Sequence, residues 1–240
     1  MNTQDLVGIF DVESESIEST IRGHHALGVI FERSVPEHQR DVLRLAYLKL
    51  LQLSASYVQF TVPALRAAGE WLSAQPASSD REWGETILAH VEDESATEEN
   101  GHDAWAKDDM RALGASEELI LAPTNDVAWL YGNYLMEPAL HPYAVLGAKG
   151  VLEHAAVRVA NEIAQGMRRS GIPGAQQAIR FFDSHGALDV THAREGDLAL
   201  DKIRDESKRR QIAHGAFVTG GTYRALVRLM LSPEAINRLK

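Results

Sequence analysis

The chain has 240 residues, enough for one domain with a full core, and it contains no cysteine. That absence excludes disulfides, iron–sulfur clusters, thiolate zinc sites and any thiol nucleophile. With 34 acidic against 24 basic side chains the net charge is -10, which argues against a nucleic-acid partner, and no basic tract opposes that reading. No apolar run is long enough to span a bilayer, and the acidic first residues lack the basic-then-apolar order of a secretory signal. A cytoplasmic protein with no membrane partner, forming a single domain over 1–240, is the expectation.

Alanine, leucine, glutamate and arginine dominate, and apolar residues recur at intervals of three and four. The pattern predicts an all-α bundle of seven to eight helices. Residues 1–12 are expected to be a loose arm before a first helix over about 14–31 that contains His24 and His25. After a turn at Pro36, an apolar helix should run from about 37 through Leu43, Leu50, Leu51 and Tyr57, with Pro63 bending it on the way to Trp71. Ser79 and Glu82 form a capping box for a helix expected over 81–113, which Gly114 closes. Pro123-Thr124-Asn125-Asp126 opens another helix through Trp129 and Tyr134, and Pro138 and Pro142 bracket a bend at His141. A helix over 143–169 is stopped by Ser170-Gly171-Ile172-Pro173-Gly174. Further helices are expected from 174 to about 195 and from 197 to 231, and Ser232-Pro233 begins a short terminal one.

The residues with chemistry to offer gather on three of these segments. His185, Asp189 and His192 fall within about 60° of one another on a helical wheel, so two imidazoles and a carboxylate share one face. Nitrogen and anionic oxygen donors without sulfur suit iron, manganese or zinc, and the alternative is a solvated polar face. Within 81–113, Glu99 and His102 form an E-x-x-H pair of the kind that lets one helix present two donors to one ion. On a continuous helix Glu92 would lie close to the same stripe, two turns earlier. Glu153 stands among Val151, Leu152, Ala155 and Ala156, where a buried carboxylate needs a cation or a strong donor. His154 points elsewhere and reads as packing or surface, His141 as a turn residue. His24, His25, His38, His90 and His214 have no carboxylate at a metal-type spacing on their own face.

With Glu99-Asn100-Gly101-His102-Asp103-Ala104-Trp105, Glu153 and His185-x-x-x-Asp189-x-x-His192 in place, the chain resembles a known family over about 40–230. It is similar to the haem-oxygenase-like di-iron oxidases and oxygenases, often labelled iron-containing redox enzymes. The resemblance implies the helical fold of haem oxygenase and of the TenA and PQQ-synthase proteins. It implies His102, Glu153, His185, Asp189 and His192 as iron ligands with Glu99 as a sixth. Glu92 is the alternative to Glu99, and Glu94 and Glu98 compete for the same place. It further implies two Fe(II) per chain, with manganese as an alternative. Dioxygen would be activated to oxidise a small organic substrate such as an amine, amino acid or fatty acid, and a homodimer is compatible with it. On this reading Phe181, Phe182, Leu188 and Trp105 build the apolar pocket, and Tyr57, Tyr143 and Arg168 stand as substrate contacts.

Other readings stay open beside it. A cofactor-free enzyme like PQQ synthase or TenA has the same fold, and a non-catalytic helical binding or regulatory protein would explain the acidic cluster as surface. A thiaminase-like activity is disfavoured because the chain has no thiol. Haem would need a histidine on the first helix, for which His24 and His25 are available, but it leaves the H-x-x-x-D-x-x-H pattern unexplained.

Overall fold

The computed structural model describes residues 1–94, 101–122 and 126–238, and over them the chain is all-α. The helices are α1 (Thr3–Arg22), α2 (Arg40–Ser73), α3 (Ser78–Glu94), α4 (His102–Ala112), α5 (Glu117–Leu121), α6 (Asp126–Leu135), α7 (Ala144–Arg169), α8 (Arg180–Leu200), α9 (Glu206–Met230) and α10 (Pro233–Asn237). Among the described residues, only α5 and α10 are shorter than ten residues, which leaves the seven to eight substantial helices that periodicity predicts. No helix among them is long and apolar enough to cross a membrane.

Helix α7 is the axis of the bundle. It packs against α8, α9 and α1, and α2 closes the opposite side with α3 and α4 laid on it. Two glycines let α7 meet its neighbours closely. A Cβ at Gly147 would collide with the Ile212 carbonyl of α9, and one at Gly186 of α8 with the Asn161 side chain of α7. Asn161 instead donates to the Gly186 carbonyl at 3.1 Å, which fixes the register between α7 and α8. That register sets Glu153 opposite Asp189 and His192.

The start of α8 is held by a side chain from another helix. Buried Asp109 on α4 accepts from the backbone N–H groups of Arg180 and Phe181, at 3.1 and 2.9 Å. These are among the first amides of α8, which have no partner inside the helix. Burial pushes the Asp109 carboxyl up to about 6, against the pull of those two donors. Tyr47 of α2 adds a bond from its hydroxyl to the Ala178 carbonyl at 2.8 Å. The helix therefore begins at Arg180, later than the expected 174, and 174–179 form turns.

Two other expectations are corrected. Residues 3–12 are not a loose arm but the first half of α1, which ends at Arg22 and leaves His24 and His25 in the following turn. Asn2 and Asp5 make a reciprocal capping box, and Leu6, Phe10, Ile17 and Ile21 face the core. The apolar stripe is broken at Glu13, which the fold pairs with Arg224 of α9, so the stripe looks interrupted in sequence. The single helix over 81–113 is two, because Gly101 precedes His102 in extended backbone (φ -66°, ψ 152°). As expected, α2 continues past Pro63, which sits on the solvent side, and runs on to Ser73.

Candidate metal centre

Glu153 on α7 and Asp189 on α8 are both buried, at 8 % and 4 % exposure, although carboxylates belong in water. His192, one turn beyond Asp189, places its Nδ1 3.5 Å from Asp189 Oδ1 and 3.9 Å from Glu153 Oε1. One ligand atom from each of the three residues lies within 4.8 Å of the other two. Burial pushes the Glu153 carboxyl up to about 7, Lys149 and His192 pull it down, and the Asp189 charge adds to the upward push. Lys149, one turn before Glu153 on the same helix, puts its ammonium 2.6 Å from Glu153 Oε1.

A second donor group abuts the first. The imidazole of His185 is one turn before Asp189, and its Nδ1 donates to the Phe181 carbonyl at 2.7 Å. That bond fixes the tautomer and leaves Nε2 with the lone pair a metal needs. Buried His102, the first residue of α4, meets His185 edge to face with ring centroids 4.6 Å apart. Trp105 stacks on His102 with ring centroids 4.5 Å apart and also meets His185 edge to face at 6.4 Å.

Most of these groups, though not His192 or Trp105, line a cavity of about 140 Å³. His90, His102, Lys149, Glu153, His185 and Asp189 supply its polar end. The rest is mostly apolar, with Ile17, Ile21, Val159, Phe181 and Phe182 among the lining residues. A second space of about 270 Å³ lies beyond, and His90, Lys149 and Glu153 line both, so they form the partition. His192 lines this second space.

The donor set fits a divalent cation. Two buried carboxylates carry more negative charge than the single Lys149 ammonium offsets, and a divalent cation taking the place of that ammonium would balance both. Carboxylate oxygen and imidazole nitrogen are donors that iron or manganese accepts.

Five residues singled out from sequence are thus neighbours: His102, Glu153, His185, Asp189 and His192. Glu99 lies outside the described residues, together with Glu98. Helix α4 begins at His102 after an extended Gly101, so the helical continuity on which the Glu99 face argument rests is not found at Gly101. Glu92, the alternative, is exposed on α3 and lines neither cavity. Of the pocket residues, Phe181 and Phe182 line the cavity, whereas Leu188 is exposed. Tyr57 lines the cavity; Tyr143 instead bonds Asp80, and Arg168 pairs with Asp183.

His154 packs as expected, between Asp11 and Asp197 at 3.2 and 3.3 Å. Burial disfavours its charged form, but the two aspartates outweigh that and raise its pKa. His141 donates to the Tyr134 carbonyl at 2.6 Å and stacks on that ring, as a turn residue does. Sequence reasoning missed Lys149, whose spacing of four from Glu153 was the available signal, and Asp109, which had none. It also set His90 aside for want of a carboxylate on its own face, whereas the carboxylates come from α7 and α8.

A family model described as iron-containing redox enzyme matches residues 55–219. The fold is similar to that of a crystal structure from Shewanella denitrificans OS217, described as a domain of unknown function with a heme oxygenase-like fold. The TM-score is 0.68 at 14 % identity, over 98 % of this chain and 92 % of that one. No curated protein matches the sequence.

Proposed function

The chain belongs to the iron-containing redox enzyme family, and from that premise we propose that it is a non-haem di-iron oxidase or oxygenase acting on a small organic substrate. The observation that carries this reading is the buried triad of Glu153, Asp189 and His192, with ligand atoms within 4.8 Å of one another beside an apolar cavity. Glu153, Asp189 and His192 would hold one ion. His102 and His185, which abut that triad, would hold a second. Iron bound there supplies the activation of dioxygen and the redox equivalents for substrate oxidation.

The chain's own residues do the rest. The Phe181 carbonyl holds His185 in one tautomer, so Nε2 is presented without a rotational search. The aromatic and aliphatic lining would exclude water once a substrate fills it, and so strengthen every charge interaction at the polar end. A substrate with an aliphatic or aromatic body would fill the apolar part and present its reacting carbon or nitrogen to the polar wall. Amines, amino acids and fatty acids all meet that description.

The test is dioxygen uptake by iron-loaded protein against a panel of such compounds, with products identified by mass spectrometry. Uptake that depends on substrate and is absent from His185→Ala supports the assignment. Iron-loaded protein that consumes no dioxygen with any of them contradicts it.

A further inference from the structure

The resemblance reserves a place among the ligands for a carboxylate ahead of His102, and on the described part of that segment a different donor faces the cavities. Trp83, Ile87 and Val91 are the buried side of α3, and Glu92 is exposed. His90 lies on the flank between them, and it is the α3 histidine that lines both cavities together with Glu153. Its ring meets that of His192 nearly at right angles (85°), with centroids 5.4 Å apart.

That spacing has a chemical meaning. A metal–nitrogen bond of about 2.0–2.1 Å puts an imidazole centroid about 3.2 Å from the ion, so two imidazoles on adjacent positions have centroids roughly 4.5–5.5 Å apart. The His90–His192 pair falls in that range, as does the His102–His185 pair at 4.6 Å. Packing alone also permits edge-to-face rings. The pairing of each α8 histidine with one from the α3–α4 side, around two buried carboxylates, is what packing does not call for.

We propose that His90 is a metal ligand, joining Glu153, Asp189 and His192 on one ion. The donor set at that ion is then two imidazole nitrogens and two carboxylates, all from helices α3, α7 and α8. The proposal rests on the metal reading above and adds a residue to it. In the structure the cluster of ligand atoms comprises Glu153, Asp189 and His192 without His90, so the proposal requires the His90 side chain to rotate toward them when the ion binds.

The experiment is anaerobic titration with Fe(II) of the wild type, His90→Phe, His90→Glu and Glu92→Ala, with iron per chain measured after desalting. Phenylalanine keeps the ring packing and removes the donor; glutamate removes the ring and keeps a donor. His90→Phe is expected to lose one ion, or to bind it at least about tenfold more weakly, the smallest cost seen when even an outer partner of a ligand is lost. His90→Glu should retain it, and Glu92→Ala should match the wild type. If the phenylalanine variant does not fold, His90→Leu, which also removes the donor, gives the same reading. A His90→Phe titration that overlays the wild type overturns the assignment of His90 and leaves the metal centre standing. A wild type that takes up no iron overturns the metal centre itself.

Discussion

Lys149 and Glu153 form an ion pair at 2.6 Å, one turn apart on α7, with the lysine ammonium where it can neutralise a buried carboxylate. Lys149 thus competes with a metal ion for the same oxygen. Lysine bears a compact, mobile charge on a flexible stem, so it can swing away when a stronger cation arrives. Lys149→Met should therefore raise the affinity for Fe(II) or Mn(II), on the order of tenfold, because no ammonium has to be displaced. Competition titration with a coloured chelator measures this. Weaker binding in the variant would mean that Lys149 supports the loaded site.

Acid should empty the centre. Burial lifts Glu153 from 4.5 to about 7, so its carboxyl takes a proton where ordinary carboxylates remain ionised. A proton on Glu153 excludes the metal, so apparent affinity should fall by about tenfold or more per pH unit below 7. The linkage to folding has the opposite sense. A raised folded-state value favours the fold below about pH 4.5, and the advantage, on the order of 3 kcal/mol at most, is lost as the pH rises through 7. In metal-free protein, Glu153→Gln should therefore change the Tm more favourably at pH 8 than at pH 5. Equal changes at the two pH values would count against the raised carboxyl.

The two classes of histidine should separate cleanly. His185→Ala and Asp189→Ala are expected to abolish metal uptake, since both line the cavity at its polar end. His154→Ala and His38→Ala should leave it intact. His154 bridges Asp11 and Asp197, so its loss should instead cost about 1–2 kcal/mol of stability, and His38 is exposed. Metal analysis beside thermal unfolding distinguishes the two effects. Equal metal content in all four variants would remove the basis for the assignment.

Helix α8 was legible as a helix with three donors on one side because His185, Asp189 and His192, at spacings of four and three, can share only one face. Glu153 was legible because an acid in an alanine- and valine-rich stretch needs a partner. What could not be read was the path of the chain before His102. Helix propensity runs high from 81 to 113, and nothing in the pattern announces that Gly101 is extended. The face linking Glu99 to His102 was drawn on that continuity, and Glu99 itself lies outside the described residues. The N-terminal helix was hidden by the same mechanism in reverse: Glu13 interrupts its stripe, and its partner Arg224 lies on the last long helix. His90 owes its place to helix packing, which leaves no mark at short range, whereas Lys149 could have been found from its spacing of four to Glu153.

Asp109 makes a prediction that depends on none of the metal chemistry. Replacing it with Ala strips two amides at the start of α8 of their acceptor. The expected cost is about 1–3 kcal/mol, which for a chain of this size lowers Tm by several degrees at about 2–4 °C per kcal/mol. Hydrogen exchange should quicken at Arg180 and Phe181 ahead of the rest of the helix. Unchanged protection at those amides would show that Tyr47 and the turn at 174–179 hold the helix start without Asp109.

The most direct test of the metal centre is equilibrium dialysis of the wild-type protein against Fe(II) under anaerobic conditions, with iron and protein measured in the same sample. The expected result is about two ions per chain, reduced to background when Glu153 and Asp189 are both replaced by Ala. No iron in the wild type, or iron that persists in the double variant, would contradict a centre built on these two carboxylates.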